Sequence, residues 1–159
     1  MVNVTFITVG TLKEDYWRQA MAEYGKRLSA YGRFSTVELR ESRLPSEPSS
    51  AEIHAALDAE ADKILAAIPP RTFRVALCVE GQGVSSEKLA QKLEQACQTH
   101  SGLCFIIGSS YGLSEKVKAA CDWRLSVSDL TFPHQLMRVI LAEAVYRAFN
   151  IQKGAKYHK

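Results

Sequence analysis

Two runs in the second half of the chain constrain the fold most. Leu103–Ile107 is apolar without a break, and Phe73–Val79 is apolar apart from Arg74. A strand with no polar alternation is buried on both faces, which requires helices packed on each side of a parallel sheet. The flanking sequence supplies such helices. Ser86–Thr99 sets Leu89, Leu93 and Ala96 on one face, and Thr131–Phe149 is a long apolar-rich helix with Pro133 in its first turn, where a missing N–H costs little.

The rest of the chain keeps the same rhythm. Val2–Val9 is a β-branched run closed by Gly10, Leu12–Tyr31 has helical spacing (Tyr16, Ala20, Tyr24, Leu28), and Phe34–Leu39 is a second strand. Glu41–Ser50, with Pro45 and Pro48, reads as a surface loop, and Glu52–Ile68 as a helix stopped by Pro69-Pro70. A short helix over Ser114–Ala120 and a last strand over Trp123–Val127 complete the order. The expectation is one α/β domain over residues 1–159, a mainly parallel sheet flanked by helices. In such sheets ligands bind beyond the carboxyl ends of the strands, which here are the loops Glu80–Val84, Gly108–Gly112 and Ser126–Phe132.

Bulk properties narrow the class without choosing a function. A chain of 159 residues with 47% hydrophobic and 23% charged residues can build one core. It has no run near the roughly 18 apolar residues that a membrane helix needs, and its first residues do not read as a signal peptide. A cytoplasmic protein with no membrane partner is expected. Cys78, Cys97, Cys104 and Cys121 are widely spaced with no C-x-x-C pair, which points to reduced thiols and no metal site. A net charge of +3 is compatible with a nucleic-acid partner and equally with an ordinary solvated surface.

Four stretches carry candidate chemistry. Gly108-Ser109-Ser110-Tyr111-Gly112 matches the G-x-S-x-G nucleophile elbow, with Ser110 as the serine. The chain is short for that fold and has no HGGG-type oxyanion segment. Gly81-Gln82-Gly83-Val84-Ser85-Ser86 lacks the third glycine and the later acidic residue of a dinucleotide fingerprint. Ser126–Arg138 is denser: a strand ends in a hydroxyl-rich loop that opens a helix bearing His134 and Arg138. Thr131 or Ser128 as its N-cap is the plain explanation. Along that helix Glu143 and Arg147 stand at i,i+4, the spacing of an ordinary salt bridge. The terminal Lys156-Tyr157-His158-Lys159 combines an aromatic ring with cations, as base stacking and phosphate binding require, although chain ends are usually frayed.

Ser126–His134, the run Arg138–Ala148 and the terminal Tyr157-His158-Lys159 resemble the ribosomal RNA large subunit methyltransferase H family. So do Val9–Lys13, Tyr16-Trp17 and Glu23-Tyr24. The resemblance spans essentially the whole chain. It implies a SPOUT-class enzyme that uses S-adenosylmethionine to methylate N3 of a pseudouridine in the helix 69 loop of 23S ribosomal RNA within the ribosome. It also implies a C-terminal trefoil knot and a homodimer in which the partner chain completes each site.

Carried over position by position, the family's cofactor contacts fall on Leu77, Gly108, Val127, Ser128, Asp129, Leu130, Thr131 and Phe132. His134 and His158 become expected proton acceptors, Arg138 an expected charge stabiliser, and Arg147, Tyr157 and Lys159 expected RNA contacts. On this reading Ser110 is not a nucleophile, and Gly108 serves close approach of the cofactor to the backbone. The family usually has Gly-Gly where this chain has Gly108-Ser109, and Gln or Ser where it has Ala144. A left-handed backbone at position 109 would strain Ser109. The alternatives carried forward are a catalytically idle dimeric RNA- or ribosome-binding module and a serine hydrolase using Ser110.

Overall fold

All six residues of Gly102–Ile107, the central strand, are buried, as are six of the seven in Asn3–Val9 beside it. The computed structural model describes residues 1–158. Its elements run β1 (Asn3–Val9), α1 (Asp15–Leu28), β2 (Phe34–Leu39), α2 (Ser50–Ala67), β3 (Thr72–Gly83), α3 (Ser86–Thr99), β4 (Gly102–Ile107), α4 (Glu115–Ala119), β5 (Trp123–Ser126) and α5 (His134–Gln152). The five strands are parallel in the order β2-β1-β4-β3-β5. The parallel α/β expectation therefore holds.

Because side chains alternate across a strand, successive residues feed two separate cores. Val4, Phe6, Phe73, Val75, Leu103 and Phe105 point to the face covered by α1, α3 and α5, and meet Leu28, Leu93, Leu141 and Phe149. Phe6 packs edge-on against Phe105 at 5.6 Å between ring centres. Ile7, Val9, Ala76, Cys104 and Ile106 face the other way, onto Ala61 and Ile64 of α2 and Val117 of α4. At about 1.5–3 kcal/mol for each fully buried large apolar side chain, these layers dominate the stability.

Most element ends differ from the expected ones by a few residues, and three of the differences shape the strand-end loops. Helix α1 starts at Asp15 rather than Leu12, because the preceding segment is tied elsewhere: the Lys13 amide donates to Gln135 Oε1 at 3.0 Å, and Arg18 donates to the Leu12 carbonyl at 2.6 Å. Helix α5 begins at His134 rather than Thr131. Pro133 is extended (φ −54°, ψ 141°), and a proline also disfavours helical backbone in the residue before it. Ser128 therefore caps no helix; its hydroxyl accepts from the Leu130 amide at 3.0 Å within its own turn.

The third difference is in β3, which continues past Val79. Leu77 and Gln82 both pair with Leu125 of β5, so Cys78–Gly81 leave the ladder as an excursion and the strand then resumes. The β5 main chain runs directly against Gly81. A Cβ there would lie 2.6 Å from the Leu125 carbonyl carbon and 2.8 Å from its nitrogen. No helix is long and apolar enough to cross a membrane among the described residues.

Candidate active site

The carboxyl ends of β3, β4 and β5 open onto one cleft of about 750 Å³. Leu77–Glu80 form one wall, Ile107–Leu113 another, and Leu125–Ser128 with Leu130–Pro133 a third. His134 and Met137 of α5 and Lys118 of α4 close it. Its size falls within the range of small-molecule sites, and its lining is mostly apolar with a few polar groups.

Most expected cofactor positions are thus brought together. Leu77, Gly108, Val127, Ser128, Leu130, Thr131 and Phe132 all line the cleft, although they come from strand β3 and two loops far apart in sequence. Asp129 belongs to the same loop but is not among the lining residues. The β4 loop is a tight turn. The Gly112 amide donates to the Ser109 carbonyl at 2.9 Å, and a Cβ on Gly108 would lie 2.3 Å from the Gly112 oxygen. The turn's own carbonyl therefore occupies the space above Gly108 and already excludes a side chain there. The left-handed residue is Gly112 (φ +87°), so Ser109 is unstrained, and its hydroxyl accepts from the Tyr111 amide.

His134 sits at the junction of the cleft with the end of β1. Burial lowers its pKa from the ordinary 6.5, and the nearby Arg138 cation lowers it further. The ring is therefore neutral at neutral pH and can accept a proton.

Arg138 lies elsewhere than expected for a group that meets substrate. Its side chain is 1% exposed and does not line the cleft. It donates to Glu38 at 3.0 Å and to the carbonyls of Gly10 at 2.7 Å and Val9 at 3.4 Å. The arginine holds the end of β1, and through it the edge strand β2, against α5. Neither Glu38 nor Gly10 was marked by the sequence as its partner, because the contacts are 100 and 128 positions apart.

The tail is also away from the cleft. Tyr157 donates to Glu143 at 2.9 Å and packs on Tyr146 at 5.1 Å, with the Arg147 guanidinium 4.7 Å from its ring centre. His158 lies between Glu87 at 2.7 Å and Arg147 at 3.2 Å. Arg147 in turn donates to Glu143 at 2.7 Å, the i,i+4 pair that spacing suggested. Lys159 lies outside the described residues.

Among the described residues no hydrogen bond joins Ser110 to a histidine, His134 of the same cleft included, so the hydrolase elbow is not assembled. Ser110 lines the cleft, but His158 is engaged by Glu87 and Arg147, His100 by Thr99 and the Ala96 carbonyl, and His54 by Asp58. Among the described residues no three His, Cys, Asp or Glu side chains are grouped to hold a metal ion.

A family model described as "Predicted SPOUT methyltransferase" matches residues 2–158. The chain belongs to the SPOUT methyltransferase family. It is 48% identical over 159 residues to the ribosomal RNA large subunit methyltransferase H of Streptococcus thermophilus (strain CNRZ 1066), covering 99% of this chain and 100% of that one. The proteins of that name from Bacillus pumilus (strain SAFR-032) and Clostridioides difficile (strain 630) are 44% and 43% identical over the same spans.

SPOUT methyltransferases take their methyl group from S-adenosylmethionine, and the cleft suits it. Leu77, Leu125, Leu130 and Met137 offer apolar surface for a flat nucleoside, the strand-end loops offer main-chain groups, and Glu80 with Lys118 offers one charge of each sign. Sequence reasoning missed Lys118 and Met137. Lys118 had a usable signal, since α4 follows directly on a strand-end loop.

Proposed function

We propose that this protein is a single-domain S-adenosylmethionine-dependent methyltransferase of large-subunit ribosomal RNA, acting on N3 of a pseudouridine in the helix 69 loop. The observation that carries this reading is the convergence of Leu77, Gly108 and Val127–Phe132 on one cleft beside a neutral His134, in a chain of this family. When bound, the donor supplies an electrophilic methyl group on its sulfonium. The protein's main contribution is then to hold two substrates in attack geometry, worth up to roughly 7–11 kcal/mol. The β4 and β5 loops bind and orient the donor, Leu77 and Leu130 exclude water, and His134 accepts the N3 proton of the target base. Arg138 acts through position, fixing α5 and His134 against β1.

A homodimer is part of the proposal. Val79, Tyr111 and Leu130 leave 81%, 44% and 71% of their surfaces exposed around one cleft, an apolar rim of the kind a second chain or a ligand covers. The expected trefoil threading of the C-terminal third is likewise part of the proposal. Tyr157, His158 and Arg147 are proposed to meet the RNA after leaving the contacts they make with one another, Glu143 and Glu87, and Lys159 is proposed to join them. The test is incubation with labelled S-adenosylmethionine and ribosomes carrying unmethylated large-subunit RNA, followed by mapping the labelled nucleotide. Label on N3 of a helix 69 pseudouridine is expected; donor binding without transfer would instead favour an idle RNA-binding scaffold.

A further inference from the structure

Lys118 reaches the cleft from the last turn of α4, and its ammonium donates to Glu80 in the β3 excursion. Among the described residues, Lys118 is the one ammonium or guanidinium lining the cleft and Glu80 the one carboxylate. The Lys118 side chain is only 15% exposed, while that of Glu80 is 46% exposed. The cation is therefore sheltered inside the wall and the carboxylate opens toward solvent. Hydrogen bonding to Lys118 holds the Glu80 carboxyl below the usual carboxylate range, so Glu80 is a carboxylate at neutral pH. The neighbouring wall is Leu77, Val79, Ser109 and Leu125, which offers a charged ligand group no other ionic partner.

The methyl donor has a matching asymmetry. One end is a flat, weakly polar adenine, and the other is an α-amino acid with a carboxylate and an ammonium group. We propose that Lys118 and Glu80 form the subsite for that amino-acid end, Lys118 taking the carboxylate and Glu80 the ammonium group. The inference rests on S-adenosylmethionine being the ligand of this cleft. A zwitterion entering between the two side chains gives each of them a new opposite charge in place of the old one, so no sheltered charge is left alone. The adenine is thereby directed to the apolar loops, which sets the donor's direction in the cleft.

Titration calorimetry tests this with two ligands, S-adenosylhomocysteine and 5′-methylthioadenosine, which lacks the amino-acid end. Lys118→Met and Glu80→Gln should each weaken S-adenosylhomocysteine by about tenfold or more while leaving methylthioadenosine within about twofold. Lys118→Arg, which keeps the charge, should retain most of the affinity. Equal losses for both ligands, or no loss for S-adenosylhomocysteine, would overturn the subsite. If Lys118→Met does not fold, the nearly isosteric Glu80→Gln carries the same comparison. A wild-type protein that binds neither ligand would instead remove the donor reading, and this inference with it.

Discussion

Arg138 donates to the main-chain oxygen of Gly10 at 2.7 Å, joining the second turn of α5 to the end of β1. One turn earlier, His134 Nε2 approaches the same glycine. A Cβ on Gly10 would lie 3.9 Å from that nitrogen and 3.9 Å from Arg138 Nη2. The proposed base and the buried arginine thus adjoin one backbone position, the geometry expected if Arg138 acts as a positioning residue.

Loss of Arg138 should therefore appear first as lost stability. Arg138→Met leaves the Val9 and Gly10 carbonyls without this donor and should lower the unfolding free energy by about 2–4 kcal/mol. Glu38→Gln should cost less, because its amide oxygen still accepts from Arg138 and only the counter-charge of the buried guanidinium is lost. Urea titration compares the two, and equal losses would contradict the asymmetry.

Three glycines separate crowding from conformation. Gly108→Ala forces a methyl against the Gly112 carbonyl and Gly81→Ala forces one against the β5 main chain. Each should destabilise by about 1–3 kcal/mol, and Gly108→Ala should also weaken S-adenosylhomocysteine binding. Gly112→Ala meets open space but needs φ +87°, and should cost about 1–2 kcal/mol. Thermal unfolding and calorimetry on the three variants check the order.

The acid limb of methylation should reflect His134. Because burial and Arg138 lower its pKa, the ring stays neutral and active below pH 6.5, and the rate falls only as pH drops through the depressed value. His134→Asn should remove that limb and reduce the rate by about 10²–10⁴-fold. The linked stability has the same sign: it is complete above pH 6.5 and is lost as pH falls through the folded-state pKa. A pH profile of kcat/KM for both proteins is the measurement, and an unchanged acid limb in His134→Asn would exclude this base.

Removing Tyr157–Lys159 should abolish methylation yet leave donor affinity within about twofold, since Tyr157 and His158 contact Glu143, Arg147 and Glu87 rather than the cleft. Calorimetry and the ribosome assay separate the two effects. A tail-less protein that still methylates would remove these residues from the RNA-facing machinery.

Much of the fold was legible before any coordinates. β2 and α3 have the expected bounds, and the two central apolar runs implied a sheet covered on both faces, because local periodicity reports burial directly. The resemblance was equally legible, being written in contiguous motifs. The β3 excursion was not. A break and resumption of pairing at Leu125 depends on a strand nearly fifty positions later, and nothing in Cys78–Gly81 announces it.

The chain's order of apolar runs and turns by itself determined a parallel α/β sheet and placed the Gly108–Gly112 and Ser126–Phe132 loops at one of its edges, whereas the third expected loop, Glu80–Val84, is mostly a resumed strand. Only the tertiary structure decided that Arg138 turns inward to Gly10 and Glu38, that Gly108 is bare because Gly112 folds over it, and that Lys118 meets Glu80 at the cleft. The physical reason is range. Strands and helices follow from neighbours a few residues apart, whereas a side chain's charge partner and the atom above an α-carbon are set by segments that meet only after folding.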